Sequence, residues 1–282
     1  MNATETPTKS RDVETTAAKP AQHDSYDPAY FARLFDIEDR HFWFHARNRI
    51  IGTVVEQVTH ALSPGYAVLE VGCGTGKVLK MLEQTCADGT VVGMDLFGEG
   101  LHFARGRTSC ALVQGDVHTP PFEAKFDMVG AFDVLEHLPD DVLVLRDMGA
   151  MLSPGGVLML TVPAHQTLWS YFDEASHHCR RYEERDLRRK LKQAGFEVEY
   201  VTQYMAAIFP LVWLGRRLAG IKGRFSRGAS RDVDAMATDE LRIVPVANGV
   251  LSWLLSLERH LVARRRKLPI GTSLLAVARK SR

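Results

Sequence analysis

Apolar runs of strand length alternate with segments of helical period along most of the chain. The first run, YAVLEVG at 66–72, has no polar alternation, as expected for a strand buried on both faces of a parallel sheet. Strands that alternate with helices predict an α/β fold, here a doubly wound, seven-stranded, mostly parallel sheet. The seven predicted strands are YAVLEVG, TVVGMDL, CALVQGD, FDMVGAFD, GGVLMLTVP, FEVEYVTQY and SLLAVARK.

Two helical regions lie outside this alternation. Residues 26–62 place apolar side chains at helical spacing, and we interpret them as an N-terminal helical lid. Residues 205–267, before the last strand, are too many for an ordinary loop and contain two apolar segments, so we predict an inserted helical cap. The core would span 63–204, with the last strand and C-terminus at 268–282. Residues 1–25 have no apolar period and are predicted to form a disordered tail.

The charge of the chain is unevenly distributed. The 282 residues carry a net charge of +1. Residues 205–282 hold 15 Lys and Arg against 5 Asp and Glu, a net of +10, whereas residues 1–204 hold 20 against 29, a net of −9. A basic segment with apolar runs suits either an anionic surface or a solvated tail. We expect peripheral membrane contact through 205–267, and a lid that packs on the sheet is a compatible alternative.

Cysteine use and hydropathy predict a cytoplasmic location. The four cysteines form no C-x-x-C pair and no metal-ligand spacing, as in a reduced intracellular protein. The N-terminus lacks the basic-then-apolar order of a secretory signal. No apolar run reaches the ~18 residues of a transmembrane helix. Any membrane contact is therefore expected at the inner membrane face, from outside the bilayer.

A glycine-rich turn follows the first predicted strand in VLEVGCGTGKVL (68–79). Glycines at alternate positions allow a tight turn and let a ligand approach bare main chain. The helix after the turn offers free N–H groups and a positive dipole end to an anionic group. Asp95 and Asp116 lie at the ends of the next two predicted strands. Ligands of open α/β sheets bind at the carboxyl ends of the strands, so these residues predict a nucleotide-like site there.

The glycine spacing distinguishes two cofactor classes. A dinucleotide site uses G-x-G-x-x-G, whereas this loop is G-x-G-x-G with Glu70 two residues before it. That carboxylate would repel a pyrophosphate, but it is compatible with the ammonium and sulfonium of S-adenosylmethionine and is a candidate contact for them. The chain resembles the class I S-adenosylmethionine-dependent methyltransferases in LEVGCGTG, Asp95, the Gly-Asp pair at 115–116 and FDVLEHL (132–138). The resemblance covers residues 26–205 and the last strand, and it implies the Rossmann-like methyltransferase fold with S-adenosylmethionine as cofactor.

The resemblance implies which residues bind the methionine and ribose ends of the cofactor. The main chain at Gly72, Gly74 and Gly76 would lie against the methionine end of the cofactor, because these residues form the turn after the first strand. Asp95 would accept hydrogen bonds from the ribose hydroxyls, with Leu96 beside it. These assignments place half of the cofactor on the first two strands of the sheet.

The resemblance also implies contacts for the adenine and the methyl group. Asp116 and Val117 would frame the adenine, and Phe132 with Asp133 would lie near the transferable methyl group. Methyl transfer is an in-line displacement at carbon, so the protein mainly has to align acceptor, methyl and sulfur. A base is needed only when the acceptor is a poor nucleophile such as a hydroxyl.

Candidate catalytic groups follow the fourth and fifth strands. They are Asp133, His137 and His178, although packing at the start of a helix is an alternative role for His137. The loop VPAHQTLWSYFDEASHHCRRY (162–182) follows the fifth strand and would form the acceptor wall. Its polar and aromatic candidates are His165, Trp169, Asp173, His178, Arg181 and Tyr182.

A metal site is the less favoured interpretation of the same residues. Asp133, Glu136 and His137, with a later histidine from 165, 177 or 178, would supply suitable ligand types. The spacing to the later histidine matches no metal-ligand pattern, so we expect no metal.

An aromatic run, HFWFHARNR at 41–49, precedes the core. In the fold that the resemblance implies, a helix before the first strand lies across the cofactor cleft, so this run is predicted to be a lid. Trp43 would place its ring against the cationic sulfur or the adenine. Arg47 would form a forked pair with the methionine carboxylate. Phe42 and Phe44 would anchor the lid by packing, and a simple hydrophobic staple remains the alternative.

The predicted reaction is transfer of a methyl group to an oxygen of a small apolar or amphipathic acceptor. A quinone, a lipid-linked intermediate or an aromatic metabolite would suit the apolar, basic-rimmed segment at 205–267. Nucleic acid is not expected as a partner, because no recognition motif is present. The alternatives are a nicotinamide-dependent oxidoreductase and a non-catalytic cofactor-binding protein on the same fold.

Overall fold

Seven strands form one sheet with helices on both faces, which confirms the predicted α/β fold class. The predicted tail at 1–25 and the middle of the predicted cap, 226–244, lie outside the described residues. The computed structural model describes residues 27–28, 30–123, 125–225 and 245–281.

Each predicted apolar run forms a strand, and FEVEYVTQY and SLLAVARK coincide with their strands at both ends. The fifth strand is longer than predicted, because it begins at Leu152, directly after a helix. The strands are β1 (Ala67–Val71), β2 (Thr90–Asp95), β3 (Ala111–Gln114), β4 (Phe126–Phe132), β5 (Leu152–Pro163), β6 (Phe196–Tyr204) and β7 (Ser273–Lys280).

The strand order is β3-β2-β1-β4-β5-β7-β6. The pairs from β3 to β5 are parallel, whereas β7 runs antiparallel to both β5 and β6. The chain therefore winds outward from β1 in one direction and then outward from β4 in the other. This reversal leaves a crevice at the carboxyl ends of β1 and β4, which is the usual ligand position in open α/β sheets.

Helices cover both faces of the sheet, and the predicted N-terminal region contains two of them. Among the described helices, none combines the length and the apolar character needed to cross a bilayer. The helices are α1 (Tyr30–Ile37), α2 (Phe42–Thr59), α3 (Lys77–Thr85), α4 (Gly98–Arg105), α5 (Asp141–Met151), α6 (Tyr171–Ala175), α7 (Glu184–Gln193), α8 (Phe209–Phe225) and α9 (Pro245–Ala263).

Two apolar clusters fill the opposite faces of the sheet. Successive strand residues point to opposite sides, so Val68 and Leu69 of β1 are both fully buried but belong to different clusters. One cluster contains side chains of α2, α3 and α9, and the other contains side chains of α5 and α7. Gln57 of α2 also donates to the carbonyl of Ala263 at 2.6 Å, so the last helix of the predicted cap packs on the N-terminal helix.

Ionic contacts fix α1 to the core. Arg107, just after α4, pairs with the carboxylate of Glu38 and donates from Nη2 to the carbonyl of Phe35 at 2.6 Å. The Thr75 hydroxyl in the glycine loop donates to the same Glu38 carboxylate. His41 then caps α2, since its Nδ1 accepts from the Trp43 N–H at 3.2 Å. The turn between the two N-terminal helices is therefore held directly over the glycine loop.

The glycine loop also depends on close packing between helices. Gly76 has φ of +76°, and a Cβ there would lie 2.8 Å from the Cβ of Ala104. Gly155 has almost the same φ, +74°, but no atom lies within 4 Å of the position of its Cβ. An alanine would have the same unfavourable φ at both positions, but only at Gly76 would it also clash with a neighbouring side chain.

We expect Gly76→Ala to lower the free energy of unfolding more than Gly155→Ala. Both substitutions carry the left-handed backbone cost of about 1 kcal/mol, and Gly76→Ala adds overpacking of about 1–3 kcal/mol against α4. Urea unfolding of the cofactor-free protein measures the difference. Equal losses for the two variants would contradict the packing role of Gly76.

Candidate active site

A cavity of about 1230 Å³ lies at the carboxyl ends of the strands, beside the reversal between β1 and β4. Side chains of α1 and α2 line one side, and the start of α8 lines another. The predicted cofactor and catalytic residues that line it are Trp43, Arg47, Glu70, Gly72, Gly74, Asp95, Leu96, Asp116, Val117, Phe132, Asp133, His137 and His178.

The three loop glycines have different roles. Gly72 and Gly74 line the cavity, and both have positive φ, +70° and +48°. A Cβ on Gly74 would approach only the Phe31 ring, at 3.5 Å, so the main chain there is open to a ligand. Gly76 does not line the cavity, because its α-carbon faces Ala104 instead. The structure gives Gly76 a packing role, and its predicted contact with the methionine end stays a prediction.

Asp95 ends β2 with both carboxylate oxygens held by the backbone. Oδ2 accepts from the Gly74 N–H at 2.7 Å, and Oδ1 accepts from the Phe97 N–H at 2.9 Å. Burial raises the pKa of Asp95 to about 6, although these backbone hydrogen bonds oppose the increase. The carboxylate is therefore fixed beside Leu96 at the cavity wall, where it is suited to accept hydrogen bonds from vicinal hydroxyls.

Asp116 and Val117 line the same cavity beyond β3. The Asp116 carboxylate accepts from the His118 N–H at 2.9 Å, which orients the turn after the strand. Val117 is buried beside it and provides an apolar surface. A carboxylate next to an apolar side chain is compatible with the predicted adenine contact, which stays a prediction.

Glu70 is a buried carboxylate at the base of the glycine loop. It is 2% exposed, and its Oε2 has no hydrogen-bond partner. Burial raises the pKa of Glu70 well above its usual range. A cationic group in the cavity would satisfy this carboxylate, so the residues present fit a cofactor with an ammonium or sulfonium group.

Arg47 makes its forked contact inside the protein. Its Nε lies 2.6 Å from Asp133 Oδ2, and its Nη2 donates to the carbonyl of Phe132 at 2.9 Å. The guanidinium also lies 5.4 Å from the Trp43 ring centroid. The predicted fork between Arg47 and the methionine carboxylate therefore has competing partners at the end of β4, while Trp43 still lines the cavity.

Asp133 is the acidic partner of Arg47 in this ion pair. Besides Arg47, its Oδ1 accepts from the Thr161 hydroxyl at 3.1 Å, and its φ is +58°. Both carboxylate oxygens of Asp133 are occupied by partners within the protein, so these contacts favour a positioning role over the predicted catalytic one. Asp133 thereby fixes the turn that leads to His137.

Glu136, His137 and His178 come together at the far end of the cavity. The two imidazole centroids are 4.8 Å apart, in an edge-to-face arrangement. The His178 Nδ1 lies 3.0 Å from Asp173 Oδ1, and Arg181 donates to the same oxygen at 2.7 Å. Asp173 is fully buried, and its contact with Nδ1 fixes the orientation of the His178 ring.

The predicted acceptor wall is only partly correct. Trp169, His178 and Arg181 line the cavity, but His165 and Tyr182 do not. Tyr182 is fully buried and donates to Asp141 Oδ2 at 3.0 Å, so it belongs to the core. His165 is occupied by a contact of 2.7 Å between its Nε2 and the Gln203 side chain.

Several lining residues were missed by the sequence reasoning. Phe31 and Leu34 of α1 line the cavity, and their helical spacing is the signal that would have found them. Lys77 lines the cavity directly after the loop. The pairing of Glu38 with Arg107 leaves no local signal, since it joins positions 69 residues apart.

A family described as a methyltransferase domain matches residues 35–201, more than half of the chain. The chain belongs to the S-adenosylmethionine-dependent methyltransferase family. The match confirms the resemblance, the cofactor and the enzyme class predicted from the sequence. The oxidoreductase and non-catalytic alternatives are therefore not supported.

Two curated relatives of this methyltransferase each match less than half of it. Ubiquinone biosynthesis O-methyltransferase of Bordetella avium (strain 197N) is 32% identical over 135 residues, 45% of this chain and 55% of the relative. Probable tRNA methyltransferase 9B of Homo sapiens is 30% identical over 123 residues, 43% of this chain and 26% of the relative. The chain therefore spans only about a quarter to about half of the length of these relatives.

A solved structure has the same fold over nearly the whole chain. It is the complex of the Haloferax volcanii Trm112 methyltransferase activator with a protein assigned as a methyltransferase. The TM-score is 0.57 at 18% identity, covering 93% of this methyltransferase and 100% of that chain. At this identity the likeness concerns the fold alone.

We expect the affinity of this methyltransferase for S-adenosylhomocysteine to fall as the pH drops below about 6. The Asp95 carboxylate, with a pKa of about 6, accepts charge-assisted hydrogen bonds from the ribose hydroxyls only when it is ionised. Affinity should then fall about tenfold per pH unit, because protonation competes with binding. Isothermal titration calorimetry between pH 5 and 8 measures this.

Asp95→Asn should remove the part of this pH dependence that Asp95 contributes and weaken binding at pH 8 by about tenfold or more, because a charge-assisted acceptor is lost. Asp88→Asn, an exposed carboxylate outside the cavity lining, is the matched control. An unchanged affinity in Asp95→Asn would place the ribose elsewhere.

Proposed function

We propose that this methyltransferase transfers a methyl group to an oxygen of a small apolar or amphipathic acceptor. The observation that carries the proposal is the imidazole pair of His137 and His178 at the end of a cavity with apolar walls. The name of the Bordetella relative, an O-methyltransferase of ubiquinone biosynthesis, supports the same acceptor class.

The acceptor half of the cavity is lined by apolar and aromatic side chains. Trp169 and Phe172 contribute from the segment between β5 and α7. Ile208, just before α8, and Leu211 and Val212, in its first turn, contribute from the other side. Such walls exclude water from the reaction and bind an apolar body, which favours a quinone-like, lipid-linked or aromatic acceptor. Arg181 provides one cationic group at the same wall.

The polar groups at the end of this cavity suit a hydroxyl acceptor. A hydroxyl is a weak nucleophile until it loses its proton, whereas an amine needs no such help once it is neutral. Asp173 contacts Nδ1 of His178, so ring geometry directs Nε2 away from Asp173. In this arrangement His178 can accept the proton of a bound hydroxyl, and His137 lies beside it.

The cofactor half positions the reaction. When bound, S-adenosylmethionine supplies an electrophilic methyl group on a cationic sulfur. Gly72 and Gly74 leave room for it, Asp95 holds the ribose, and Glu70 balances the positive charge. Asp133 keeps the turn after β4 in place, so that the cofactor and acceptor ends of the cavity stay aligned.

We expect purified protein with labelled S-adenosylmethionine to methylate alkyl-substituted phenols or catechols at oxygen. The matched comparison is an alkyl amine of the same chain length, which should stay unlabelled. Total tRNA is included because one relative is named a tRNA methyltransferase. Label found only in the amine or only in tRNA would overturn the proposal.

His178→Gln should lower kcat for the oxygen acceptor by about a hundredfold, the typical effect of losing a proton-accepting group. Its affinity for S-adenosylhomocysteine should be unchanged. His60→Gln, outside the cavity lining, is the control. An unchanged kcat would place acceptor activation elsewhere.

We further propose that the cap helices α8 and α9 contact an anionic membrane at the inner face of the bilayer. Leu211 is 61% exposed and Trp253 is 62% exposed. The basic run at 264–267 follows α9, and Arg217 lies over the Trp213 ring at 5.1 Å. Exposed aromatic and apolar groups beside cations suit anionic lipid. Because Leu211 also lines the cavity, an amphipathic acceptor would enter from the lipid.

We expect the protein to bind vesicles containing phosphatidylglycerol more tightly than vesicles of phosphatidylcholine alone, with affinity falling as salt increases. Trp253→Ser should weaken this binding by about tenfold, since a buried aromatic group contributes more than 1.4 kcal/mol. The control is Leu143→Ser, an exposed leucine of α5 on the opposite face of the sheet. Equal vesicle binding by the two variants would contradict the contact.

A further inference from the structure

Three side chains with metal-binding atoms converge where two segments meet. The ligand atoms of Glu136, His137 and His178 all lie within 4.8 Å of one another. The short turn after β4 carries the first two, and the segment after α6 carries the third. A backbone hydrogen bond of 2.7 Å from Cys179 N–H to the Glu136 carbonyl holds these segments together. The convergence is therefore part of the folded framework.

Glu136 has an unsatisfied carboxylate oxygen at this point. It is 1% exposed, and its Oε2 has no hydrogen-bond partner. An ionised carboxylate in such a place is costly unless a cation or a donor compensates it. The nearby cation Arg47 is already paired with Asp133. A cation bound between Glu136 and the two imidazoles would provide the missing partner.

His178 is held as metal-binding histidines usually are. Such a histidine donates one ring N–H to a carboxylate, which fixes the tautomer and leaves the other nitrogen as ligand. The 3.0 Å contact between His178 Nδ1 and Asp173 Oδ1 has this form. Asp173 is itself held by Arg181 Nε at 2.7 Å and by the Ser170 N–H at 2.9 Å. The Asp173 charge is therefore already balanced by Arg181, which donates to the same oxygen that His178 contacts.

We propose that Glu136, His137 and His178 bind a divalent transition-metal ion at the acceptor end of the cavity. Two imidazoles and one carboxylate suit zinc, manganese, cobalt or iron(II) better than magnesium or calcium, which prefer oxygen ligands. All three residues line the cavity, so the remaining coordination positions face the acceptor. The site departs from the expectation of no metal.

The use of the open positions rests on the proposed function. An acceptor hydroxyl bound to the ion loses its proton to water, and the oxygen keeps the electron pair as a metal-bound anion. That oxygen then forms a bond to the methyl carbon while the carbon–sulfur bond breaks and its electron pair returns to sulfur. With the ion present, His178 acts as a ligand, and no side-chain base is needed because the ion lowers the pKa of the bound hydroxyl.

The test is metal binding by untagged, full-length protein stripped with a chelator. Zinc and manganese are titrated by calorimetry, and the bound metal is counted by mass spectrometry after gel filtration. We expect about one ion per chain. Glu136→Gln and His178→Ala should each weaken binding at least tenfold, and Asp173→Asn about tenfold through the loss of the carboxylate behind His178.

His177→Ala is the matched control, because this neighbouring histidine is outside the cluster and should leave metal affinity unchanged. Binding of S-adenosylhomocysteine by each variant verifies that the fold is intact. Less than one ion per chain in the wild type would overturn the proposal. So would metal affinities that are unchanged by both Glu136→Gln and His178→Ala in folded protein.

Activity measurements separate this proposal from the proposed function. If methylation of an oxygen acceptor is lost on chelation and is restored by adding the ion, the result supports both the metal site and the proposed function. Full methylation by the stripped enzyme would overturn the catalytic use of the ion and leave the oxygen acceptor standing. One bound ion without any methylated oxygen acceptor would support the site and count against the proposed acceptor.

Discussion

The ion pair between Arg47 and Asp133 is the contact on which the arrangement of the site depends. It joins the N-terminal helix α2 to the end of β4, where the strand order reverses. Arg47 also donates to the carbonyl of Phe132, so the turn that follows β4 has a fixed direction. That turn carries Glu136 and His137 toward the acceptor end. A buried pair of this kind stabilises one geometry, since removing either partner leaves an uncompensated charge.

The sequence predicted the parts of the protein that leave a local pattern. Buried strands appear as apolar runs, and β6 and β7 coincide with theirs. The glycine loop and Asp95 could be placed because turns and strand ends require particular residue types. Contacts between distant segments could not be placed in this way. Arg47 contacts the end of β4, 85 residues away in sequence, and the residues next to Arg47 in the sequence do not indicate that partner.

Errors at the acceptor end have the same physical origin. Tyr182 and His178 stand on one loop and look equivalent in sequence, yet one is a core residue and the other lines the cavity. Which side of a loop is buried depends on what packs against it. Here the Asp141 carboxylate holds Tyr182 inside, and Asp173 holds His178 at the cavity. The family match ends at residue 201, so it leaves out α8, which lines the acceptor side.

The position of β7 between β5 and β6 has a consequence for how the protein is made. Among the described strands, β6 pairs in the sheet with β7 alone, and β7 follows it only after the whole cap segment. During synthesis, the edge formed by β5 stays open until residues 273–280 have emerged from the ribosome. The N-terminal part of the sheet can pair earlier, because its strands need no later segment. An exposed edge at that stage is a site for wrong pairing, so folding of this chain depends most on its last strand.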